Sequence, residues 1–242
     1  MDLKRYQRQT LVEEIGTNGQ LLLQTKTVLI IGGGGLGSSS SEILTRMGIG
    51  KIIVVDYDCV HESNLHRTSL FSEKDIDAPK AATLKKKLQN INSNTTIQAY
   101  NKRITKENIQ QYTANVDLII DATDNIDTRF LINAISLKKN IAWVYAGVYS
   151  TVGMVMGIIP KQTPCFHCIT NNVAHQNNEI PVMGNLPMIT AAIQCTEAMK
   201  ILLGKQPSGL IIYDIWNQHF DTLFIKKNPK CESCAKKKTK NE

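Results

Sequence analysis

The stretch VLIIGGGGLGSSSSEILTRMGIGKIIVVDYD, residues 28–58, decides how this chain is read. An apolar run meets a glycine cluster, a helix-like segment follows, and a second apolar run ends in acid. Gly32, Gly34 and Gly37 fit G-x-G-x-x-G between a strand and a helix, and Asp56 lies nineteen residues past Gly37. Glycines in that pattern permit a tight turn and close backbone approach. The helix N-terminus then receives phosphate, and the acid takes ribose hydroxyls. The spacing predicts a βαβ nucleotide site, with a glycine-rich turn that holds no ligand as the alternative. The motif does not distinguish NAD from FAD or ATP.

Working outward, residues 4–24 read as a mixed helical lead-in, and 27–32 and 51–56 as strands flanking a helix over 36–47. Further strands are predicted at 96–101, 116–121 and 141–148, with a helix from Pro79 to about Asn90 and another ending near Leu137. Strands alternating with helices predict an α/β fold with a doubly wound, mostly parallel sheet. Beyond residue 148 the pattern changes to an antiparallel C-terminal extension. A hairpin strand is expected at 151–160, then a polar crossing stretch over 170–187. A helix over 188–203 is expected to bury Ile189, Ile193, Ala198 and Ile201, with strands at 210–216 and 221–226. The polar loop over 57–79 is long for a structureless connection and is marked as functional.

The bulk numbers exclude several classes. With 42% hydrophobic and 20% charged residues the chain is an ordinary globular protein, and no apolar run approaches a membrane span. Residues 226–242 hold seven lysines and two glutamates, a net +5 of the chain's +7. The charge therefore reads as a solvated terminus and predicts neither a nucleic-acid nor a membrane partner. The N-terminus has no signal-peptide core, so a cytoplasmic location is expected.

Three constellations carry chemistry. The first is Asp56 and Asp58 with Asn64, Arg67 and Lys80, all after the second strand. A hydride-transferring dinucleotide enzyme has no use for amide, guanidinium and ammonium donors beside the ribose acid, whereas a triphosphate does. The second is DLIIDATDN, 117–125, where Asp121 ends a strand and Asp124 and Asn125 follow on the ligand-facing edge. A carboxylate there suits Mg²⁺ bridging phosphates. Capping of the next helix by Asp124 or Asn125 is the alternative. The third is two C-x-x-C pairs, Cys165 with Cys168 and Cys231 with Cys234, separated by 62 residues. Four thiolates match a closed, structural Zn²⁺ site, and a redox pair is the alternative. Cys195 is expected to be buried packing. Cys59, His61, His66, His167, His175 and His219 belong to no constellation.

Together, RYQRQ near the start, IGGGGLGS, VDYDCVHESNLHR, the Lys80 helix start, DATDN and the paired C-x-x-C resemble the MoeB/ThiF/HesA family of ubiquitin-activating-enzyme-like adenylyltransferases. The resemblance runs from about residue 4 to 234 and is nearest in type to the molybdopterin-synthase adenylyltransferases. It implies ATP as the nucleotide and adenylation of the C-terminal glycine carboxylate of a small ubiquitin-fold sulfur carrier ending in Gly-Gly, from the molybdopterin or thiamine pathways. By position it implies that Gly34 lies against the phosphates and that Asp56 binds the ribose. Asn64, Arg67 and Lys80 would contact the triphosphate and Asp124 would position Mg²⁺. Arg8 would reach a partner subunit's active site in a homodimer, so Arg8, Arg67, Lys80 and Asp124 form the expected catalytic set. Cys165, Cys168, Cys231 and Cys234 would bind structural Zn²⁺. The expected organisation is one adenylyltransferase domain over 1–242. It comprises a helical arm (1–25), a Rossmann-like ATP-binding part (26–150), an extension with the zinc site (151–234) and a frayed basic tail (235–242).

Two positions depart from the family pattern. NLHRT carries Thr68 where the family has glutamine, and Asn177 stands near the place where many members carry a cysteine. A thiol-relay step then has no obvious nucleophile, but adenylation needs none. Peptide adenylation, as in peptide-nucleotide antibiotic maturation, and a non-catalytic nucleotide-binding scaffold are the competing readings.

Overall fold

A computed structural model of the chain describes residues 3–170 and 180–235. One eight-stranded sheet has the order β3-β2-β1-β4-β5-β6-β7-β8. Its parallel part comprises β1 (Thr27–Ile31), β2 (Lys51–Val55), β3 (Thr96–Tyr100), β4 (Leu118–Asp121) and β5 (Ala142–Tyr149). The antiparallel part adds β6 (Val152–Ile158), β7 (Leu210–Asp214) and β8 (His219–Leu223). Helices α1 (Gly16–Leu23), α2 (Gly35–Met47), α3 (Lys80–Ile91) and α4 (Ile109–Tyr112) lie in the first half. They are followed by α5 (Ile126–Lys139), α6 (Phe166–Ile169) and α7 (Leu186–Leu202).

Alternation along β1 sorts the core. Val28 and Ile30 join Leu44, Leu84 and Ala198 on one face, whereas Leu29 and Ile31 join Ile132, Ile135 and Trp143 on the other. A strand buried on both faces has to be apolar throughout, which is why VLII runs without a polar break. Each fully buried leucine or isoleucine contributes roughly 1.5–3 kcal/mol. Among the described residues, no helix is long and apolar enough to cross a membrane. The doubly wound, mostly parallel reading with an antiparallel extension is the observed architecture.

Local differences have physical causes. The lead-in over 4–24 forms two 3₁₀ turns, Lys4–Tyr6 and Gln9–Leu11, before α1, because Tyr6 is buried against Gly48 and Asn92. The loop over 57–79 is not structureless: it contains 3₁₀ turns at Glu62–Arg67 and Glu73–Asp75. β7 stops at Asp214, whose carboxylate accepts from the Trp216 and Asn217 amides. That turn pairs Asp214 with His219, so β8 runs over 219–223 and leaves Phe224 outside the strand, 85% exposed. On α7 the buried row is Leu186, Thr190, Ala191, Gln194, Cys195, Ala198, Met199 and Leu202. Ala198 is buried as expected, but Ile189 is 37% exposed, because Thr190 and Gln194 find hydrogen-bond partners in the interior. Within the crossing stretch, Val182 bridges Ser150 at the end of β5. Asn177 and residues 236–242 of the tail lie outside the described residues.

Candidate nucleotide cleft and four-cysteine cluster

The sheet order reverses between β1 and β4, and a cleft of about 930 Å³ opens at the carboxyl ends of those strands. That size suits a small-molecule ligand, and the position is where open α/β sheets hold one. Gly32 makes the turn out of β1 with φ +98°, and a Cβ there would run into the Ala122 carbonyl. At Gly34 a Cβ would meet nothing within 4 Å, so this bare backbone faces the open cleft at the N-terminus of α2.

Asp56 sits one residue past β2. Its carboxylate accepts from the Gly33 amide at 2.5 Å and the Asp58 amide at 2.7 Å. Burial pushes its pKa above the ordinary carboxylate value, and the Asp58 and Gly33 amides partly oppose that. Asp58 behaves oppositely. Burial acts to raise it, but the Lys80 ammonium, the Cys59 amide and His61 together hold it below the usual range. Lys80 begins α3 and is buried, paired with Asp58. Its four-carbon stem packs in the fold while its charge faces the cleft. Asn64 is buried and closes the 3₁₀ turn by accepting from the His61 amide. Arg67, four residues after Ser63, donates to the Ser63 carbonyl at 2.6 Å. Thr68 is buried and donates its hydroxyl to the Asn64 carbonyl, so it tightens the turn.

Across the cleft, Asp124 and Asn125 line the wall after β4. Asn125 is the N-cap of α5, its side-chain oxygen accepting from the Thr128 amide at 2.9 Å. Asp124 keeps an exposed carboxylate on that wall. Gly34, Asp56, Asp58, Asn64, Arg67, Lys80, Asp124 and Asn125 are thus brought to one cleft. Arg8 is not: it is exposed on the N-terminal arm and lines no part of it.

The four cysteines converge from opposite ends of the extension. Their sulfurs lie within 4.8 Å of one another, with Cys165–Cys231 at 3.6 Å, Cys168–Cys234 at 3.5 Å and Cys165–Cys168 at 3.9 Å. A tetrahedral zinc with Zn–S of about 2.3 Å places its sulfurs roughly 3.8 Å apart. The donor set fits that ion. Burial pushes the Cys165 thiol up to about 11, so a bound cation has to supply the charge that keeps it ionised. All six cysteines are free of disulfides. Cys195 is fully buried in α7, its thiol pushed up to about 12 by burial, in keeping with a packing role.

The family description of the ThiF family matches residues 6–233. The chain belongs to the ThiF family. Its relatives include the sulfur carrier protein adenylyltransferase of Thermus thermophilus, 33% identical, with 100% of this chain and 94% of the relative covered. The SAMP-activating enzyme E1 of Haloferax volcanii is 33% identical, with 96% and 89% covered. The sulfur carrier protein ThiS adenylyltransferase of Escherichia coli is 33% identical, with 97% and 96% covered. Among solved structures, E. coli MccB with ATP superposes with a TM-score of 0.85 over 96% of this chain and 74% of that one. At 21% identity this is a likeness of fold.

Two members of this ThiF-family cleft carry no motif. Arg129 on α5 and Tyr145 on β5 both line it, the guanidinium 5.2 Å from the ring centroid. A signal for Arg129 exists. Asp121 ends an apolar strand in the middle of the sheet, and a fully buried carboxylate needs a cation nearby.

Proposed function

We propose that this ThiF-family chain is an adenylyltransferase that activates the C-terminal carboxylate of a small ubiquitin-fold sulfur carrier with ATP. The observation that carries the reading is the gathering of Lys80, Arg67, Asn64 and Asp124 around the bare Gly34 turn, beside the ribose-type acid Asp56. The names of relatives matched over nearly their full length support a sulfur carrier protein as the acceptor, and the Gly-Gly ending is our expectation for it.

The acceptor carboxylate is ionised at neutral pH, so the reaction needs no general base. Its oxygen attacks the α-phosphorus, the bond to the bridging oxygen breaks, and pyrophosphate leaves with the electron pair. Asp56 takes ribose hydroxyls, the Gly34 backbone lies along the phosphates, and Asn64 donates its amide. Arg67 and Lys80 stabilise charge growing on the departing pyrophosphate, where each such donor supplies about 2.7–4 kcal/mol. Asp124 would hold Mg²⁺, which when bound neutralises phosphate charge, and Asn125 lines the cleft beside it. Cys165, Cys168, Cys231 and Cys234 would hold structural Zn²⁺. Arg8 completes the cleft of a second copy, so the working unit is a homodimer. We place the enzyme in the cytoplasm, where its six cysteines, none of them in a disulfide, stay reduced. It acts as one adenylyltransferase domain.

The test is ATP–pyrophosphate exchange with a panel of Gly-Gly-ended carriers from the molybdopterin and thiamine pathways. Exchange is expected only with a carrier present. ATP binding with no exchange across the panel, together with adenylation of a short peptide detected by mass spectrometry, overturns the carrier assignment. For the homodimer, Arg8→Ala mixed with Lys80→Ala should recover exchange that neither has alone, and no recovery overturns the shared site.

A further inference from the structure

β4 and β5 pair only as far as Ile120 and Val144, and beyond that point the two strands fork. One branch runs on to Thr123 and Asp124, and the other to Gly147 and Tyr149; these are the facing walls of the cleft. Side chains from both faces of the sheet fill the fork. From the α7 side, Gln194 is fully buried and its amide donates to the Asp121 carbonyl at 2.7 Å and the Val144 carbonyl at 3.0 Å. From the α5 side, one Arg129 Nη2 donates to the Thr123 carbonyl at 2.7 Å and the Ala146 carbonyl at 3.2 Å. Its Nε donates to Asp121 at 3.2 Å, while the other Asp121 oxygen accepts from the Thr123 amide and hydroxyl.

We infer that Arg129 is a positioning residue for adenylation: its guanidinium sets the separation of the two cleft walls and so the line of attack on the α-phosphate. The inference rests on the proposed adenylation reaction. A planar guanidinium spreads its donors over two nitrogens in a fixed plane, so it holds one carboxylate and the Thr123 and Ala146 carbonyls at a set separation, whereas an ammonium's three donors share one nitrogen on a flexible stem. Asp121 holds the guanidinium in its plane, and Arg129 touches neither phosphate nor acceptor in this assignment. In the proposed reaction the wall bearing Asp124 meets the phosphates, which leaves the wall bearing Gly147 and Tyr149 to the acceptor. Altering their spacing therefore leaves each binding contact in place and moves the reacting atoms apart.

The test compares the full-length wild type with Arg129→Lys, which keeps a cation beside Asp121 and removes the fork. The readouts are exchange kcat with the carrier that the wild type accepts, Mg-ATP affinity by calorimetry, and Tm. A misplacement of about 1 Å costs roughly 100-fold in rate, so kcat should fall about 10- to 100-fold while ATP affinity stays within about threefold. Arg129→Lys with wild-type kcat overturns the inference, as does a parallel loss of kcat, ATP affinity and Tm, which marks a purely structural residue. If Arg129→Lys does not fold, the paired change Asp121→Asn with Arg129→Gln, which leaves no buried charge, is read the same way. Failure of both to fold overturns it too. A wild type that shows no carrier-dependent exchange defeats the proposed reaction itself. A wild type that exchanges alongside an unaffected Arg129→Lys defeats only the positioning role.

Discussion

The parallel and antiparallel halves of the sheet hold their functional groups by different means. In the parallel half, β1, β2 and β4 are buried on both faces, and the chemistry sits on loops at their carboxyl ends. There Asp56, Asp58 and Lys80 are tied to their neighbours by hydrogen bonds within about twenty residues of sequence. In the antiparallel half, β8 is an exposed edge, with Phe220 61% exposed, and it buries little of its own. What closes that half is the cysteine cluster, which joins positions 66 residues apart. The first half should therefore lose little stability with its site, whereas the second should depend on its site for stability. Chemistry and stability should therefore be separable by mutation.

The largest effect is expected at Lys80. Lys80→Met removes a charge that in the proposed reaction stabilises the leaving pyrophosphate, and it should lower exchange by about 10²–10³-fold, or roughly 2.7–4 kcal/mol. Asp58, left without its partner, is 40% exposed and can be solvated, so Tm should barely move. Measuring exchange and Tm on the same preparation checks this. A large drop in Tm would place Lys80 among the residues that hold the fold and would break the contrast between the halves.

The reverse pattern is expected at Cys231. Cys231→Ser, or treatment with a strong chelator, should remove the metal that the four cysteines would hold between Phe166–Ile169 and the C-terminal segment. A loss of about 3 kcal/mol should lower Tm by roughly 6–12 °C for a chain of this size. Exchange assayed well below the transition should stay within about threefold of wild type. Zinc content by atomic emission, followed through the chelation, ties the shift to the ion. If exchange is lost while Tm holds, the cluster is coupled to the chemistry and the two halves are not independent.

The same contrast explains what was legible in the sequence. Gly32, Gly34 and Asp56 could be read because a turn, a helix start and a strand end are local, and each demands its own residue type. The cysteine pairs could be read because few roles other than a metal site need two matched C-x-x-C units. Gln194 escaped because its amide donates to backbone carbonyls of β4 and β5, up to 73 residues away, and a carbonyl leaves no trace in sequence; Arg129 left only the indirect trace of Asp121 ending an apolar strand. On α7 the expectation held for Ala198, with Ile193 and Ile201 half-buried against the core, and failed at Ile189 for a related reason. Apolar residues were assigned to the core by type, but Thr190 and Gln194 are buried because the strand fork and Tyr213 offer hydrogen-bond partners. β8 was displaced because the Asp214 turn, and not the apolar run DTLFIK, sets its register.

The smallest effect sharpens the description of the nucleotide loop, where two carboxylates two residues apart titrate in opposite senses. Asp58 is held below its ordinary value of 3.8, mainly through Lys80 acting against the cost of burial. It therefore contributes stability that is fully present above about pH 4 and is lost as pH falls through its lowered folded value. Asp56 is raised above 3.8 by burial, against the Asp58 and Gly33 amides. Between 3.8 and its raised value the folded state keeps a proton that the unfolded state has released, so stability falls as pH rises through that window. Tm measured from pH 3 to 7 should show the difference between Asp58→Asn and wild type shrinking toward the acid end. For Asp56→Asn the difference should change in the opposite sense, with the variant gaining on wild type as pH rises above 4. Parallel curves for the two variants would mean that Lys80 serves both carboxylates alike. The ribose acid and the lysine-paired acid would then be one electrostatic unit, and the loop would lose the division of labour that its hydrogen bonds describe.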